Sequence, residues 1–525
     1  MSSTTYDAVI IGGGHNALAA AVHLSQCGMS VGLFEREDRL GGAIATEEVT
    51  LEGFRHDLYA MNLSLFAGSP FAATYGEALA SHGLAYAPAA DCFASVFPGD
   101  RWLGVSNDAA ATEARIAGFS AADAARWAEM TAAFAADAPH WFALLGTPMR
   151  PGPLARLAWK TLRAKGRAWT VEAVRLLLAS PREFLDANFE APEVKALLAP
   201  WGMHLDFPPD ASGGALFPYL EAMADQAFGM VLGKGGADVV PRALTGLLEA
   251  GGGTIRTGVT AEAIEVSAGR ATAVRLSNGE VVRAREAILA SVTPQGLLSL
   301  LGGSTGRADI DGALGKFRHG PGTMMIHLAT DALPEWTAGE ALQRFAYVHI
   351  APTLETLSAA YSEAMAGLLP RAPGLVVGQP TAIDPSRAPT GKHVLWIQVR
   401  VVPSVVRGDA ADEISPGAWD DVKEAMADRV MAIVERYAPG IGAHILARTV
   451  HSPDDLERAN VNLVGGDSLG GSHHLKQNFV FRPAFGLANH RTPVKGLHMI
   501  GASTWPGAGV GAGSGFLAAR HIAGR

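Results

Sequence analysis

The sequence predicts an α/β fold, on three observations: a strand, glycine turn and helix at the N-terminus, a second strand ending in an acid within thirty-five residues, and another strand–glycine–helix unit at the C-terminus. Tyr6-Asp-Ala-Val-Ile-Ile11 reads as a buried strand, and Gly12-Gly13-Gly14-His15-Asn16-Ala17 leads from it into an Ala-rich helix. Such a turn points backbone N–H groups and the positive helix end at one spot, which suits a pyrophosphate. Gly12 allows the tight turn, Gly14 lets phosphates approach, and Ala17 fills the third small position, where helix and strand pack closely. His15 and Asn16 open the helix beside them. The next strand, Ser30–Phe34, ends at Glu35, with Arg36 following. An acid about twenty residues past the glycines is placed to accept hydrogen bonds from a ribose. The order of these parts predicts a dinucleotide site in a Rossmann-like domain.

At the other end, Lys495–Ile500 reads as a strand. The glycine-rich run Gly501–Gly515, with Ala502, Gly509 and Val510 within it, then leads to an apolar helix, Phe516–Ile522. The positive end of that helix, aimed at a flavin, would stabilise negative charge on the reduced ring. Gly41-Gly42 adds a second glycine pair just past Glu35. A nicotinamide dinucleotide has no special need for that pair, whereas a chain passing close to FAD phosphates and ribityl does. The expected cofactor is FAD.

Tyr6–Gly14, Glu35, Gly41-Gly42, Gly53-Phe54-Arg55-His56-Asp57 and Gly501–Gly515 together resemble the phytoene desaturase-like FAD oxidoreductases. The most similar subgroup is the pyridine nucleotide-disulphide oxidoreductase domain-containing protein 2 type, which Asp384–His393, Arg482-Pro483 and Arg491–Gly496 also resemble. The resemblance runs from residue 6 to residue 519. It implies FAD held non-covalently, a Rossmann-like FAD-binding domain of the glutathione reductase/amine oxidase type, a mixed-sheet substrate domain over the flavin, and a helical lid region. It further implies that Val259 touches the adenine through its backbone. Three departures stand out. Ala43 replaces an Arg frequent in amine oxidases, and Ala502 replaces an Asp that binds ribityl. Trp505-Pro506-Gly507-Ala508-Gly509 replaces a His-Pro-Gly-Gly-Gly turn, so an indole stands near the flavin.

The expected organisation is a first FAD-binding part (1–95), a helical lid and substrate region (96–225) and a second FAD-binding part with a β-meander turning at Asn278-Gly279 (226–300). A substrate domain (301–455) and a third FAD-binding part (456–525) follow. Residues 110–200 read as helical, broken by prolines at 139, 148, 151, 153 and 181; helices are also expected over Val239–Ala250 and Ala418–Arg436. Glu280–Arg283 and Glu286–Ser291 read as separate strands.

A chain of 525 residues exceeds one ordinary core, so two or three lobes are expected. A net charge of −9 argues against nucleic-acid binding. The two cysteines, Cys27 and Cys92, form no Cys-x-x-Cys pair, which excludes disulphide-reductase chemistry and zinc sites of the usual spacing and suits a reducing compartment. No metal is expected. The first strand begins too close to Met1 for a signal peptide, and no apolar run reaches the roughly eighteen residues of a membrane span. A cytoplasmic protein is expected. Arg150, Arg156, Lys160, Arg163, Lys165, Arg167 and Arg175 are interleaved with Trp and Leu, the composition of a helix that lies on a membrane surface. Peripheral membrane contact through 150–175 is therefore set against an ordinary solvated helix face. The oligomeric state is not legible.

Flavin supplies the hydride acceptor and the protein supplies position and electrostatics. His56, Asp57, His327 and His349 are the candidate acid–base or orienting groups, and Trp505 is a candidate cavity wall. An apolar wall favours a small hydrophobic substrate. No second G-x-G-x-x-G follows a strand in residues 100–300; the nearest candidate, Gly233-Lys234-Gly235-Gly236, lacks a convincing preceding strand, so bound NAD(P)H is not expected. The leading expectation is desaturation or C–H oxidation of a polyene, terpenoid or aliphatic substrate by hydride transfer to flavin N5. The alternatives are a flavin-dependent isomerase, a flavin-stabilised binding protein without turnover, and an amine oxidase.

Overall fold

The computed structural model describes residues 4–524, and among these two seven-stranded sheets carry the fold. In the first, five parallel strands stand in the order Leu497–Met499, Val281–Ala290, Thr5–Ile11, Val31–Phe34 and Thr254–Arg256. The antiparallel strands Ala261–Ser267 and Arg270–Leu276 hang from the outer half of Val281–Ala290 as the expected meander, turning at Gly279 with φ +82°. The two strands expected on either side of Arg283–Glu286 are one. That polar stretch, which reads as a break, is an exposed part of a strand whose two halves both pair with Thr5–Ile11.

The helix His15–Gln26 is buried from Asn16 to Ser25, packed against helices Val239–Ala250 and Gly513–Ala523. A helix apolar nearly all round belongs in a core, and its alanines let both neighbours approach closely. The approach is tightest at Gly515. A Cβ built there would lie 1.7 Å from the carbonyl oxygen of Asn16. The Gly515 N–H donates to Asn16 Oδ1 at 3.3 Å, which ties the last helix to the first.

The second sheet runs Ile445–His451, Gly322–Thr330, His393–Val402, Leu375–Gly378, Tyr347–Ile350, Asp91–Phe97 and Arg101–Ser106. Helix Trp419–Tyr437 contributes Trp419, Met426, Val430 and Val434 to the core on one of its faces. The boundary expected at residue 95 falls inside the strand Asp91–Phe97. That strand pairs in parallel with Tyr347–Ile350, some 250 residues away, a contact without a local signal.

Helices Ala121–Leu145, Pro151–Leu178, Pro181–Asn188, Pro192–Leu198 and Leu216–Phe228 form the helical region. Prolines 151 and 181 stand in first turns, where the missing N–H costs nothing. Pro139 does not break its helix as expected. It sits inside Ala121–Leu145, where buried Phe134, Ala138 and Trp141 pack the segment on both sides of it.

Replacing Gly515 by Ala should force the two helix starts apart and cost about 1–3 kcal/mol of stability. A lower unfolding midpoint in urea is the expected result.

Candidate active site

Residues of both sheets line one cavity of about 1170 Å³. Its wall on the first sheet comprises Gly12, Gly14, His15 and Asn16 from the first turn, Glu35 and Arg36 at the end of the second strand, and Gly42. Gly501, Ala502, Gly509 and Val510 complete that wall from the C-terminal segment. Two other residues singled out in the sequence lie just behind it: Ala17 is wholly buried, and the Gly41 N–H donates to Gly13 O at 2.9 Å. Val259 is tied by its N–H to Glu35 O at 2.9 Å, while its neighbours Thr260 and Ala261 reach the cavity.

The wall is built to receive an anion. Helices His15–Gln26 and Gly513–Ala523 have neither a cap from the residue before them nor an acid in their first turns. Apart from the Gly515 N–H, which Asn16 takes, their leading N–H groups and positive ends are left for a ligand. A Cβ on Gly14 would meet nothing within 4 Å, whereas one on Gly42 would sit 3.2 Å from Gly14 Cα. Glu35 accepts the Gly13 N–H at 2.5 Å and the Glu37 N–H at 2.9 Å, which holds its carboxylate at the turn. His15, bonded to the Gly509 backbone, is pushed down to about 4 by desolvation and is neutral at pH 7.

Ala502 brings no side-chain acceptor, and its carbonyl already accepts from Arg482 Nη2 at 2.7 Å. Arg482, fully buried, also donates to Ser472 O and Gly470 O, both at 3.0 Å. It thereby pins the 469–472 loop to the C-terminal turn. Burial lowers its pKa to about 9, against the opposing pull of the Asp467 carboxylate. Sequence reading noted Arg482-Pro483 only as a likeness, because carbonyl contacts to loops elsewhere leave no motif.

The candidate catalytic residues divide. Trp505 lines the cavity, 1 % exposed, and its indole N–H donates to Thr147 O at 3.0 Å, joining the C-terminal turn to the helical region. His56, Asp57, His327 and His349 lie outside the lining. Asp57 is held by structural bonds: it accepts from Arg387 Nη1 at 2.5 Å, Thr46 Oγ1 at 2.6 Å and the Ala237 N–H at 2.7 Å. His56 and His327 stack edge to face with ring centres 5.4 Å apart. Burial pushes His56 down to about 3 and His327 well below the ordinary histidine value. His349 is buried against Trp201, with ring centres 5.6 Å apart, and is likewise pushed down to about 3.

The second glycine turn also differs from expectation. A strand, Met230–Gly233, does precede Gly235-Gly236. The turn nevertheless offers no phosphate site, because Asp384 accepts the Gly235 N–H at 2.5 Å and Asp57 accepts that of Ala237.

Away from the first turn the cavity widens into a chamber walled by Trp201, Leu216, Leu220 and Leu145, with Glu221 and Asp225 one helical turn apart. Desolvation raises Glu221 to about 7 and Asp225 well above the carboxylate range. Phe142 and Phe228 line the cavity and are themselves exposed, which marks its mouth.

The family described as Flavin containing amine oxidoreductase matches residues 18–523. The chain belongs to this family. It is 31% identical over 561 residues to pyridine nucleotide-disulfide oxidoreductase domain-containing protein 2 of Rattus norvegicus, covering 98% of this chain and 93% of that protein. It is 26% identical over 564 residues to a phytoene dehydrogenase of Streptomyces griseus, covering 98% and 95%. A crystal structure of an oxidoreductase from Methanosarcina mazei superposes with a TM-score of 0.63 at 16% identity, covering 99% of this chain and all of that one, and shows the same fold. This flavin-containing amine oxidoreductase is an FAD-dependent enzyme of the phytoene desaturase-like group. The open cradle at Gly14 and the two uncapped helix starts fit FAD.

Replacing Asp57 by Ala would leave Arg387 buried without its carboxylate and should cost about 3–5 kcal/mol of stability. Flavin reduction per FAD-loaded molecule should be unchanged, which a urea titration and a stopped-flow trace would check together.

Proposed function

We propose that the enzyme oxidises a C–H bond of a hydrophobic polyene, terpenoid or aliphatic substrate, desaturating it by hydride transfer to flavin N5. The observation that carries this reading is the continuity of the cavity from the Gly12–Asn16 turn to the apolar chamber. Bound FAD supplies the hydride acceptor. Gly12, Gly14 and the start of helix His15–Gln26 would hold its pyrophosphate, and Glu35 would accept from its ribose. Gly501, Ala502 and the start of helix Gly513–Ala523 would lie along its other half. Trp505 and Phe479, with ring centres 5.4 Å apart, form an apolar wall that excludes water. Glu221 is the proton acceptor, because it lines the chamber and changes charge near neutrality.

One observation favours an amine substrate instead: the carboxylate pair Glu221 and Asp225 in the chamber. Burial drives both toward their neutral forms, which weakens their hold on a cation.

We also propose that the helical segment Pro151–Leu178, kinked at Gly166, docks on an anionic membrane surface. No residue of the helix is buried. Lys165 and Trp169 turn back to Asp137, at 2.6 and 2.9 Å, while Trp159 (57 % exposed) and Leu162 (44 %) remain outward. Arg163 lies over the Trp159 ring at 4.9 Å, an amphipathic face suited to an interface. No helix among the described residues is long and apolar enough to cross a membrane.

Anaerobic addition of a hydrophobic substrate should bleach the flavin and yield a product two hydrogens lighter. Peroxide release with amines alone would support the second reading, and a product of unchanged mass would mean isomerisation. The bleaching rate should rise with pH through about 7 as Glu221 loses its proton. Glu221→Gln should abolish that rise and slow reduction roughly 10²-fold. Co-sedimentation with phosphatidylglycerol vesicles should weaken with added salt and be lost in Arg156→Glu/Arg163→Glu, with flavin content unchanged.

A further inference from the structure

The chamber has a polar end that the flavin-cradle residues do not explain. Along strand His393–Val402, Trp396, Gln398 and Arg400 alternate and so share one sheet face, and all three line the cavity with Tyr347 of the neighbouring strand. From the helical side, Trp201 and His204 face the same space. The polar atoms here are left over: Trp201 Nε1, His204 Nε2, Trp396 Nε1, Gln398 Oε1 and Arg400 Nε are buried without a hydrogen-bond partner. Nearly all buried polar groups in folded proteins are satisfied, so a cluster of exceptions around one cavity marks where a ligand's polar atoms belong.

Arg400 is the decisive member. Among the described residues no carboxylate stands within ion-pair range of it, and Tyr347 is its nearest favourable electrostatic neighbour. Arg400 is partly exposed to the cavity that it lines, with its Nε buried and unpartnered. A guanidinium without a partner there is costly, and burial lowers its pKa only to about 10, so it keeps its charge at neutrality. The groups around it do not cancel that charge. Burial and the guanidinium itself hold His204 and His349 neutral, and Tyr347 keeps its proton. Asp225, the acid on the facing helix, is driven toward its neutral form by desolvation and by Glu221. This end of the chamber therefore carries one uncompensated positive charge, while the walls toward the mouth are leucine and phenylalanine.

We propose that Arg400 anchors a carboxylate of the substrate, so that the chamber takes an amphipathic acid: an aliphatic or polyene chain bearing one ionised carboxyl group. The inference rests on the oxidation proposed above and narrows its substrate class. A planar guanidinium matches a carboxylate with two parallel hydrogen bonds, and Gln398 and the indole N–H groups can take remaining lone pairs. An amine would bring a second cation to the same place.

The test is calorimetric titration of the FAD-loaded enzyme with decanoate, 1-decanol and decylamine, which share one chain length and differ at the head. Decanoate should bind roughly tenfold or more tightly than decanol, the worth of a hydrogen bond to a charged group. Arg400→Met should erase that preference and Arg400→Lys should keep part of it. Arg400→Met should also leave FAD content intact and the melting temperature unchanged or higher, because it removes an uncompensated charge from the cavity wall; a structural arginine would behave oppositely. Equal binding of decanoate and decanol, preference for decylamine, or retained preference in Arg400→Met would each overturn the assignment. Loss of FAD from Arg400→Met would also overturn it, by placing the guanidinium against the cofactor. Titration reads binding alone, so a decanoate preference without flavin bleaching would sink the proposed oxidation and leave the anchor standing.

Discussion

The junction of Asn16 with Gly515 organises this molecule. Two helices from opposite ends of the chain meet there at their N-termini, close enough that the meeting point tolerates no side chain on one partner. Both starts are uncapped and face one cavity. Positive helix ends brought together repel, and the arrangement is favourable once negative charge lies between them. An FAD pyrophosphate would supply that charge on one side, and a reduced flavin ring would supply it on the other. The sheet order follows from the same demand: Leu497–Met499 is parallel to Val281–Ala290, and so delivers the last helix to the same edge of the sheet as the first.

A second layer holds the loops that carry no regular structure. Arg482 gathers the carbonyls of residues 470, 472 and 502, and Asp467 gathers the N–H groups of Gly320, Leu469 and Gly471 at 2.6–2.9 Å. Buried charges satisfied by backbone in this way set loop geometry without entering the chemistry. The Asp57–Arg387 pair does the same on the other side, where it also fills the helix start that another phosphate would need.

What the sequence made legible was local. Strand Thr5–Ile11, helix Val239–Ala250 and the Asn278-Gly279 hairpin stand where hydrophobic period and turn residues put them. The glycine turns were readable because few other residues let backbone approach so closely. Three features escaped for different reasons. Strand Asp91–Phe97 owes its place to a partner some 250 residues away, and the edge strand Arg101–Ser106 hangs on it alone. Pro139 is carried by packing that outweighs a lost hydrogen bond. Histidines 56 and 327 resemble chemistry in a sequence and turn out to be core, whereas Glu221 and Arg400 became conspicuous only through what surrounds them. A residue type announces its reactivity; its solvent and its neighbours are properties of the fold.

The head-to-head helices also constrain how the protein is made. Helix Gly513–Ala523 follows the first glycine turn by about five hundred residues, so until it leaves the ribosome the nascent chain has one half of a nucleotide grip and nothing to close it. The first half presents its sheet edge and glycine turn alone, and the parallel neighbour Leu497–Met499 does not yet exist. Cofactor capture thus waits for that distant segment, and a stop shortly before Gly513 would leave a chain with most of its core and one half of its flavin grip.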